Sequence, residues 1–526
     1  MKKLFTLFLS ASVSFSSLAQ TWSGEVAEIF YENCAGCHNP SGIGSVSLVD
    51  YENAFDYKST ISAYVSSGIM PPWMADSSFQ HYFDERILTD YERTTILDWV
   101  SAGAPEGVPS ETPPPPVFSE KILPGAPDLT VQMDPYMSKA SPISDDYVCI
   151  AIPSGLTEDK KLKAIEVIPG NRPIVHHCLV YTDEDGDYLT DTLSGGCSGP
   201  DGSGDELLLG AYAPGSSPTI FPADYEGGWV SGMEMKAGSN IILAMHYPHG
   251  SYGEFDDTKV NFYFYEEPIA ETFREVYNAP LIYDGSFLIP ADEVDTLTDE
   301  YGPIPLDLTF LSAFPHMHLL GEEIEAYAID PGGDTIPFVR IPKWDFEWQD
   351  FYNFQYLQKV PEDSYVYGRG VYNNTSSNPF NPNDPPEDVT FGENTTDEMF
   401  IVSFGLMFYW PGDEDFNVDS ANTVFLSQPD FSEDLFGFEG IEVYPNPFSD
   451  VTKLQYSLQQ DSYVSIYIYD QQGRLIRRLQ KGDQQKGLQS LIWDGRSEDG
   501  AEVGSGAYFY SMSVDGALYN GRIVKR

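Results

Sequence analysis

Two hydrophobic rhythms divide the chain. Near the front, Val26, Ile29 and Phe30 recur at helical spacing and predict an amphipathic helix running towards Cys34. Further on, Thr89-Asp90-Tyr91-Glu92 has capping-box form and leads into Ile96, Trp99 and Val100, with Gly103 placed to stop the helix. Residues 20–105 are therefore expected to form a small all-α domain. Pro105 to about Pro124 loses that rhythm and contains Pro113-Pro114-Pro115-Pro116. Tandem prolines remove backbone donors and hold an extended, semi-rigid path, so a linker is expected over 106–127. From 128 to about 435, short aromatic and β-branched runs alternate with Gly/Pro/Asp-rich turns, the pattern of β-sandwiches. Beyond 440, Val464, Ile466 and Ile468 alternate with Ser465, Tyr467 and Tyr469, which predicts a strand with one buried face. The chain is expected to be multidomain and mainly β, with one helical domain in front.

Composition sets the compartment. Residues 1–19 have the layout of a secretory signal: Lys2 and Lys3, an apolar run from Leu4 to Phe15, then Ser17-Leu18-Ala19. No later run approaches the roughly 20 apolar residues of a membrane span. The net charge is −53, and it is unevenly spread: residues 449–526 hold 10 Lys+Arg against 9 Asp+Glu, whereas the rest of the mature chain holds 16 against 72. Such acidity argues against nucleic acid and anionic membrane surfaces as partners and suits a solvated surface in a saline medium. Asp183-Glu184-Asp185-Gly186-Asp187 has the charge to bind calcium but reads first as an acidic surface loop.

Candidate chemistry comes from the eight histidines, seven of which stand where a metal ligand would. His38 closes Cys34-Ala35-Gly36-Cys37-His38; His176 and His177 are adjacent; His246 and His249 share a segment; His316-Met317-His318 is an H-x-H pair; His81 stands apart. C-x-x-C-H puts two thiols a helical turn apart, suited to thioether bonds to haem vinyls, with His38 as axial iron ligand. A redox dithiol would want a βαβ context, and a zinc site a second Cys/His pair nearby; neither is present. Met70, in Gly68-Ile69-Met70-Pro71, is the expected sixth ligand, with Met74 as the alternative. Residues 20–105 thus resemble a class I-type cytochrome c domain.

In the central region, positions i and i+2 of a strand share a face, so His316 and His318 suit one ion. His176 and His177 face opposite ways on a regular strand, so joint ligation needs a different ring nitrogen on one of them or a bulge. Imidazoles with a thioether, Met399 in Asp397-Glu398-Met399-Phe400, select copper.

The order His-His, then His246-Tyr247, then H-x-H, then Glu398-Met399 before a strand resembles the copper type II, ascorbate-dependent monooxygenases, the family of peptidylglycine α-hydroxylating and dopamine β-monooxygenases. The resemblance implies two jelly-roll-like β-sandwich domains, 128–272 and 273–435, and two coppers per chain. His176, His177 and His246 would form the electron-transfer site. His316, His318 and Met399 would form the catalytic, oxygen-binding site where a substrate C–H bond is hydroxylated. His249 is expected near this chemistry but outside the ligand set. Cys149 and Cys197 match a family disulfide around the first motif, which leaves Cys178 as a buried thiol. The cytochrome domain is expected to replace ascorbate as electron donor, its linker keeping the effective concentration high.

Residues 440–526, with Tyr444-Pro445-Asn446-Pro447, Tyr469-Asp470, Gly473-Arg474-Leu475, Trp493-Asp494-Gly495 and Val524-Lys525-Arg526, are similar to the immunoglobulin-like sorting domains of type IX secretion in Bacteroidota. This implies periplasmic passage, with the secretion machinery as partner, and a final place at the cell surface or outside. The expected function is an exported copper- and haem-dependent monooxygenase acting on a small organic substrate with O2. The alternative is a non-catalytic surface protein that binds copper or carries electrons; a third class, an adhesion or glycan-binding module, does not account for the histidines. Peptide-amidating members hold a substrate carboxylate with an Arg before the H-x-H and an Asn and a Tyr after the Met. Here those positions are Phe314, Ile401 and Ser403. Copper-loaded protein incubated with a reductant and a glycine-extended peptide is therefore expected to give no hydroxyglycine product; mass-spectrometric detection of that product would contradict the assignment.

Overall fold

A computed structural model of the protein describes residues 20–526 except 41, 117–121, 143, 187, 191–205, 226, 267, 270, 283–286, 347, 393–394, 420–438, 450, 459–461, 470–474, 499, 505 and 515–516. The expected signal, Cys197, Asp187 and the Asp470–Arg474 part of the sorting motif lie outside the described residues. The chain forms two compact units: a helical one up to Trp73 and over Arg86–Phe118, and a β one of Met74–Glu85 and Ser119–Arg526.

The helical unit contains α1 (Ala27–Asn33), α2 (Tyr51–Asp56), α3 (Lys58–Ser67) and α4 (Asp90–Ser101). Thr89 caps α4 as its sequence predicts: its hydroxyl accepts from the Glu92 amide and its own amide donates to the Glu92 carboxylate. Trp22, Phe30 and Trp99 meet at the centre with ring centroids 5.2–6.0 Å apart. The expected linker starts too early. Pro105 accepts from the Trp22 amide and the Trp99 indole, and the Val108 amide donates to Ser23, so the first prolines seal the helical core. At the other end Leu123 is buried in the β unit, its amide donating to Glu166.

Met74–Glu85 is a second departure, because the helical domain was expected to be continuous over 20–105. Phe79, Tyr82 and Phe83 of this segment have helical spacing, yet it forms no helix: Tyr82 is buried against a sheet and Phe79 and Phe83 are half-buried. Tyr82 makes an antiparallel bridge with Phe354 and donates to the Phe338 carbonyl, while Arg340 donates twice to one oxygen of Asp76.

The β unit opens with a sandwich of β1 (Leu129–Gln132), β2 (Asp146–Pro153), β3 (Lys160–Ile168), β4 (His177–Asp183), β5 (Glu206–Tyr212), β6 (Trp229–Met235), β7 (Asn240–Tyr247), β8 (Lys259–Phe264) and β9 (Thr272–Glu275). One sheet has the order β1-β8-β3-β6-β9 and the other β2-β7-β4-β5. The second sandwich holds β10 (Tyr277–Ile282), β11 (Glu293–Tyr301), β12 (Leu308–His316), β13 (Gly321–Ile329), β14 (Thr335–Ile341), β15 (Tyr352–Val360), β16 (Tyr365–Asn374) and β17 (Ile401–Phe408), in sheets ordered β10-β17-β12-β15 and β11-β16-β13-β14. Their boundary falls after β9, three residues later than expected, because β9 pairs with β6 of the first domain. The expected end at 435 lies outside the described residues. The C-terminal sandwich runs from β18 (Glu439–Tyr444) through β19 (Thr452–Leu458), β20 (Ser462–Tyr469), β21 (Leu475–Gln484), β22 (Gly487–Trp493) and β23 (Gly506–Val514) to β24 (Ala517–Lys525). Val464, Ile466 and Ile468 of β20 point into its core with Trp493, as their alternation predicts.

The first two sandwiches share a core. Met233 and Met235 of the first side belong to one buried cluster with Leu311, Leu357 and Met407 of the second. A buried ion pair crosses the same junction: Arg274 donates to both carboxylate oxygens of Asp413 at 2.8 and 2.5 Å, and Asp413 also accepts from Thr309 and the Trp410 amide. Removing one partner strands a buried charge. Asp413→Asn is therefore expected to lower the stability of the β unit by about 3–5 kcal/mol in denaturant unfolding. A loss below about 1 kcal/mol, the range of an exposed pair, would show that the junction does not depend on it.

Candidate metal centres

The first centre forms where β4 and β7 pair, with His177 opposite His246. His176 precedes β4 and is tied back by its amide to the His246 carbonyl at 3.0 Å. Because it sits off the strand end, the alternation that would turn it away does not apply. Both adjacent rings present Nδ1, so the expectation of unlike nitrogens or a bulge gives way to a strand-end solution. The His177 Nδ1 lies 3.2 Å from that of His176 and 3.3 Å from that of His246. Two nitrogens about 2.0–2.1 Å from one tetrahedral ion stand about 3.3 Å apart, so this spacing fits a shared cation. All three side chains are mutually within ligating reach. Burial holds His177 well below the usual imidazole range, helped by the charges of His246 and His176, and pushes His176 down to about 3. Neutral rings keep their lone pairs available for a metal.

Asp145 completes this centre. Its Oδ2 accepts from His246 Nε2 at 2.9 Å, which leaves His246 Nδ1 as the lone-pair nitrogen. Its Oδ1 accepts from the His249 amide at 2.7 Å. Burial works to raise the Asp145 carboxyl, but the His246 hydrogen bond and the nearby histidines hold it below its ordinary range. His249 thus positions Asp145 and stays out of the converging set, its ring exposed. Asp145 was not singled out in the sequence; its signal was an acidic residue just before β2, the strand that flanks β7.

The second centre sits at the end of β12. His316 and His318 have ring centroids 5.0 Å apart, with planes at 85°. His316 Nδ1 meets Gln349 Oε1 at 2.6 Å and His318 Nδ1 meets the Asp397 carbonyl at 3.1 Å, which makes Nε2 the candidate ligating nitrogen in both rings. Met399 arrives from the other strand: β12 pairs with β17 so that His316 faces Ile401, two residues after it. Glu398 fastens the two segments together. One carboxylate oxygen accepts from the amides of His318, at 2.9 Å, and Met399, at 3.1 Å, while the other accepts from Leu320 at 2.6 Å. Burial pushes this carboxyl up to about 8, against the pull of those backbone donors. Met399 is buried, and its carbonyl accepts from Tyr372 at 2.8 Å. Glu398 also went unremarked as a clamp; its place directly before the methionine was the signal.

In the helical unit, α1 ends in a turn where the Cys37 and His38 amides donate to the Cys34 carbonyl. His38 Nδ1 bonds the Val46 carbonyl at 2.9 Å, which makes Nε2 the candidate ligating nitrogen, and Gly44 passes so close that a Cβ there would lie 2.4 Å from the ring. Burial pushes the Cys34 thiol up to about 12, the opposite of what an attacking redox thiolate needs. Of the two expected methionines, Met70 stays in this unit, whereas Met74 belongs to the segment that joins the β unit. Cys149 is disulfide-bonded and Cys178 is a fully buried thiol. Asp183, the head of the acidic run, accepts from the Gly186 and Tyr188 amides, as a loop-closing residue does. His81 pairs with Glu85 at the surface.

Residues 448–517 match the family model of the FlgD Ig-like domain. The C-terminal sandwich is Ig-like. No curated protein matches the chain. Among solved structures, it is similar to PorZ, a surface component of the type IX secretion system of Porphyromonas gingivalis, at 26% identity over 16% of this chain and 11% of that one, with a TM-score of 0.13. It is also similar to a β-glucuronidase of Faecalibacterium prausnitzii, at 7% identity over 47% and 46%, with a TM-score of 0.13. The chain spans less than half of either structure, and likenesses this slight carry no argument about its fold or chemistry.

Asp145→Asn keeps the shape but removes the carboxylate behind His246. Titration against a competing chelator is expected to show first-centre metal affinity lower by about 10–100-fold, with the His316/His318 centre unchanged. Unaltered affinity would remove Asp145 from the centre.

Proposed function

We propose that the protein is an exported, haem-tethered copper monooxygenase that hydroxylates a C–H bond of a small organic substrate lacking a carboxylate anchor, using O2. The observation that carries this is the pairing of two unlike donor sets in one unit with a shared core. One is three converging imidazole nitrogens; the other is two imidazoles and a thioether segment fastened by Glu398. Three imidazoles accept copper in both oxidation states, while a soft sulfur favours Cu(I). When bound, the two coppers would supply one-electron transfer at the first centre and O2 activation at the second. The two sandwiches are then the jelly-roll-like domains of copper type II monooxygenases, and the helical unit a cytochrome c domain.

The protein's own residues set up this chemistry. Asp145 keeps the proton on the far nitrogen of His246, and Gln349 and the Asp397 carbonyl do the same for His316 and His318. Phe314 and Ile401 share the sheet face of His316, with Ser403 opposite Phe314 in the register. Phe314 stacks on Phe351 with centroids 4.5 Å apart. An apolar wall thus stands where peptide-amidating relatives hold a carboxylate, which suits an uncharged substrate. His38, held by Val46, and Met70 would hold the haem iron, which would supply one-electron chemistry as the donor to the coppers. The Ig-like domain, near neutral behind a strongly acidic body, is assigned to sorting through type IX secretion, with release or anchoring at the cell surface.

Metal and haem analysis of purified protein, followed by reductant-dependent O2 uptake across uncharged substrates, tests the proposal. Two coppers and one haem per chain with substrate-stimulated uptake are expected. Two coppers without O2 uptake would leave a copper-binding electron carrier, and fewer than two would sink the two-centre assignment. Cys34→Ala/Cys37→Ala protein is expected to turn over more slowly with a protein electron donor; equal rates would exclude the haem relay.

A further inference from the structure

One side chain touches both histidine clusters. Phe346 lies on the loop between β14 and β15. Its ring centroid is 6.0 Å from that of His176, with planes 20° apart, and 6.3 Å from that of His246. On its other side it meets His318 at 5.9 Å and 85°. A single aromatic ring therefore occupies the gap between the two candidate centres.

The loop that carries it is anchored to the second centre. Gln349, which bonds His316 through Oε1, donates through Nε2 to the Phe346 carbonyl at 2.9 Å. The Trp344 indole donates to the His318 carbonyl at 3.2 Å, and its amide donates to the Glu322 carbonyl at 2.7 Å. Gln349 and Trp344 are both buried. The backbone on either side of Phe346 is thus fixed to the very residues that hold the second centre, and the ring projects from there onto the first. A second aromatic residue flanks the gap: Tyr147 stacks on His246 with centroids 4.3 Å apart, and its hydroxyl is 2.6 Å from that of Thr395, two residues before Asp397.

We propose that Phe346 is a positioning residue that sets the separation and relative orientation of the two metal centres. This rests on the two-centre assignment above. With copper bound, the two centres would supply one-electron transfer from the first to the second, and Phe346 would hold His176, His246 and His318 at the fixed spacing that this transfer crosses. A cleft that opened and closed on hinge motion would leave the spacing variable, whereas a braced ring holds it at one value.

The test uses full-length protein loaded with Cu(II). Wild type is expected to bind two coppers per chain and to give an EPR spectrum broadened by dipolar coupling at one separation. Phe346→Ala is expected to keep both coppers and the single-site EPR parameters while altering that coupling. It should also slow, at least tenfold, the appearance of first-centre Cu(II) after the fully reduced protein is mixed with O2. Phe346→Trp, which restores a ring, should recover both readouts, and Phe346→Leu should recover neither fully, while circular dichroism confirms folding. Two coppers with identical coupling and transfer rates in wild type and Phe346→Ala would overturn the role of Phe346 and leave the two centres standing. Fewer than two coppers in wild type would overturn the centres themselves.

Discussion

An acceptor behind the ring is the constraint on which every candidate site here depends. An imidazole offers a lone pair at one nitrogen only if the other keeps its proton, and a proton stays where something accepts it. His38 has the Val46 carbonyl, His246 has Asp145, His316 has Gln349 and His318 has the Asp397 carbonyl. Each partner fixes a tautomer and orients the ring. His176 and His177 are aimed instead by their position at the start of β4 and by the backbone tie to His246.

Packing then brings the donors within range. Glu398 is fully buried, and its carboxylate accepts from the amides of His318, Leu320 and Met399. Two segments that are 80 residues apart in sequence become one structural piece. At a larger scale the shared core of the first two sandwiches, reinforced by Arg274 and Asp413, places the two clusters in one unit. Phe346 spans what remains.

Much of this was legible in the sequence because metal chemistry restricts residue types. C-x-x-C-H, the paired histidines and the H-x-H needed no alignment to be noticed, and the alternation of β20 and the capping box at Thr89 translated directly into structure. The parts that were not legible depend on distant partners. Asp145 looked like one acid among many in a strongly acidic chain, and only the pairing of β2 with β7 brings it beneath His246. Glu398 was visible as a neighbour of Met399 but not as a clamp, because its partners lie 80 residues earlier. Phe346 carries no signal at all in a chain with 32 phenylalanines. The stretch Met74–Glu85 was assigned to the helical domain by continuity, and the apolar sheet edge that captures it could not be seen locally. Adjacent histidines seemed to need unlike nitrogens because a regular strand was assumed; the strand simply starts one residue later.

The central claim is that the β unit holds two unlike copper centres, one of nitrogen donors alone and one with a thioether. Copper K-edge X-ray absorption of the fully reduced protein tests this most directly. The account predicts a sulfur neighbour on about half of the copper, lost in Met399→Ile while the nitrogen shell of the other half is unchanged. A wild-type spectrum with nitrogen and oxygen neighbours only, or a sulfur signal that survives in Met399→Ile, would contradict it.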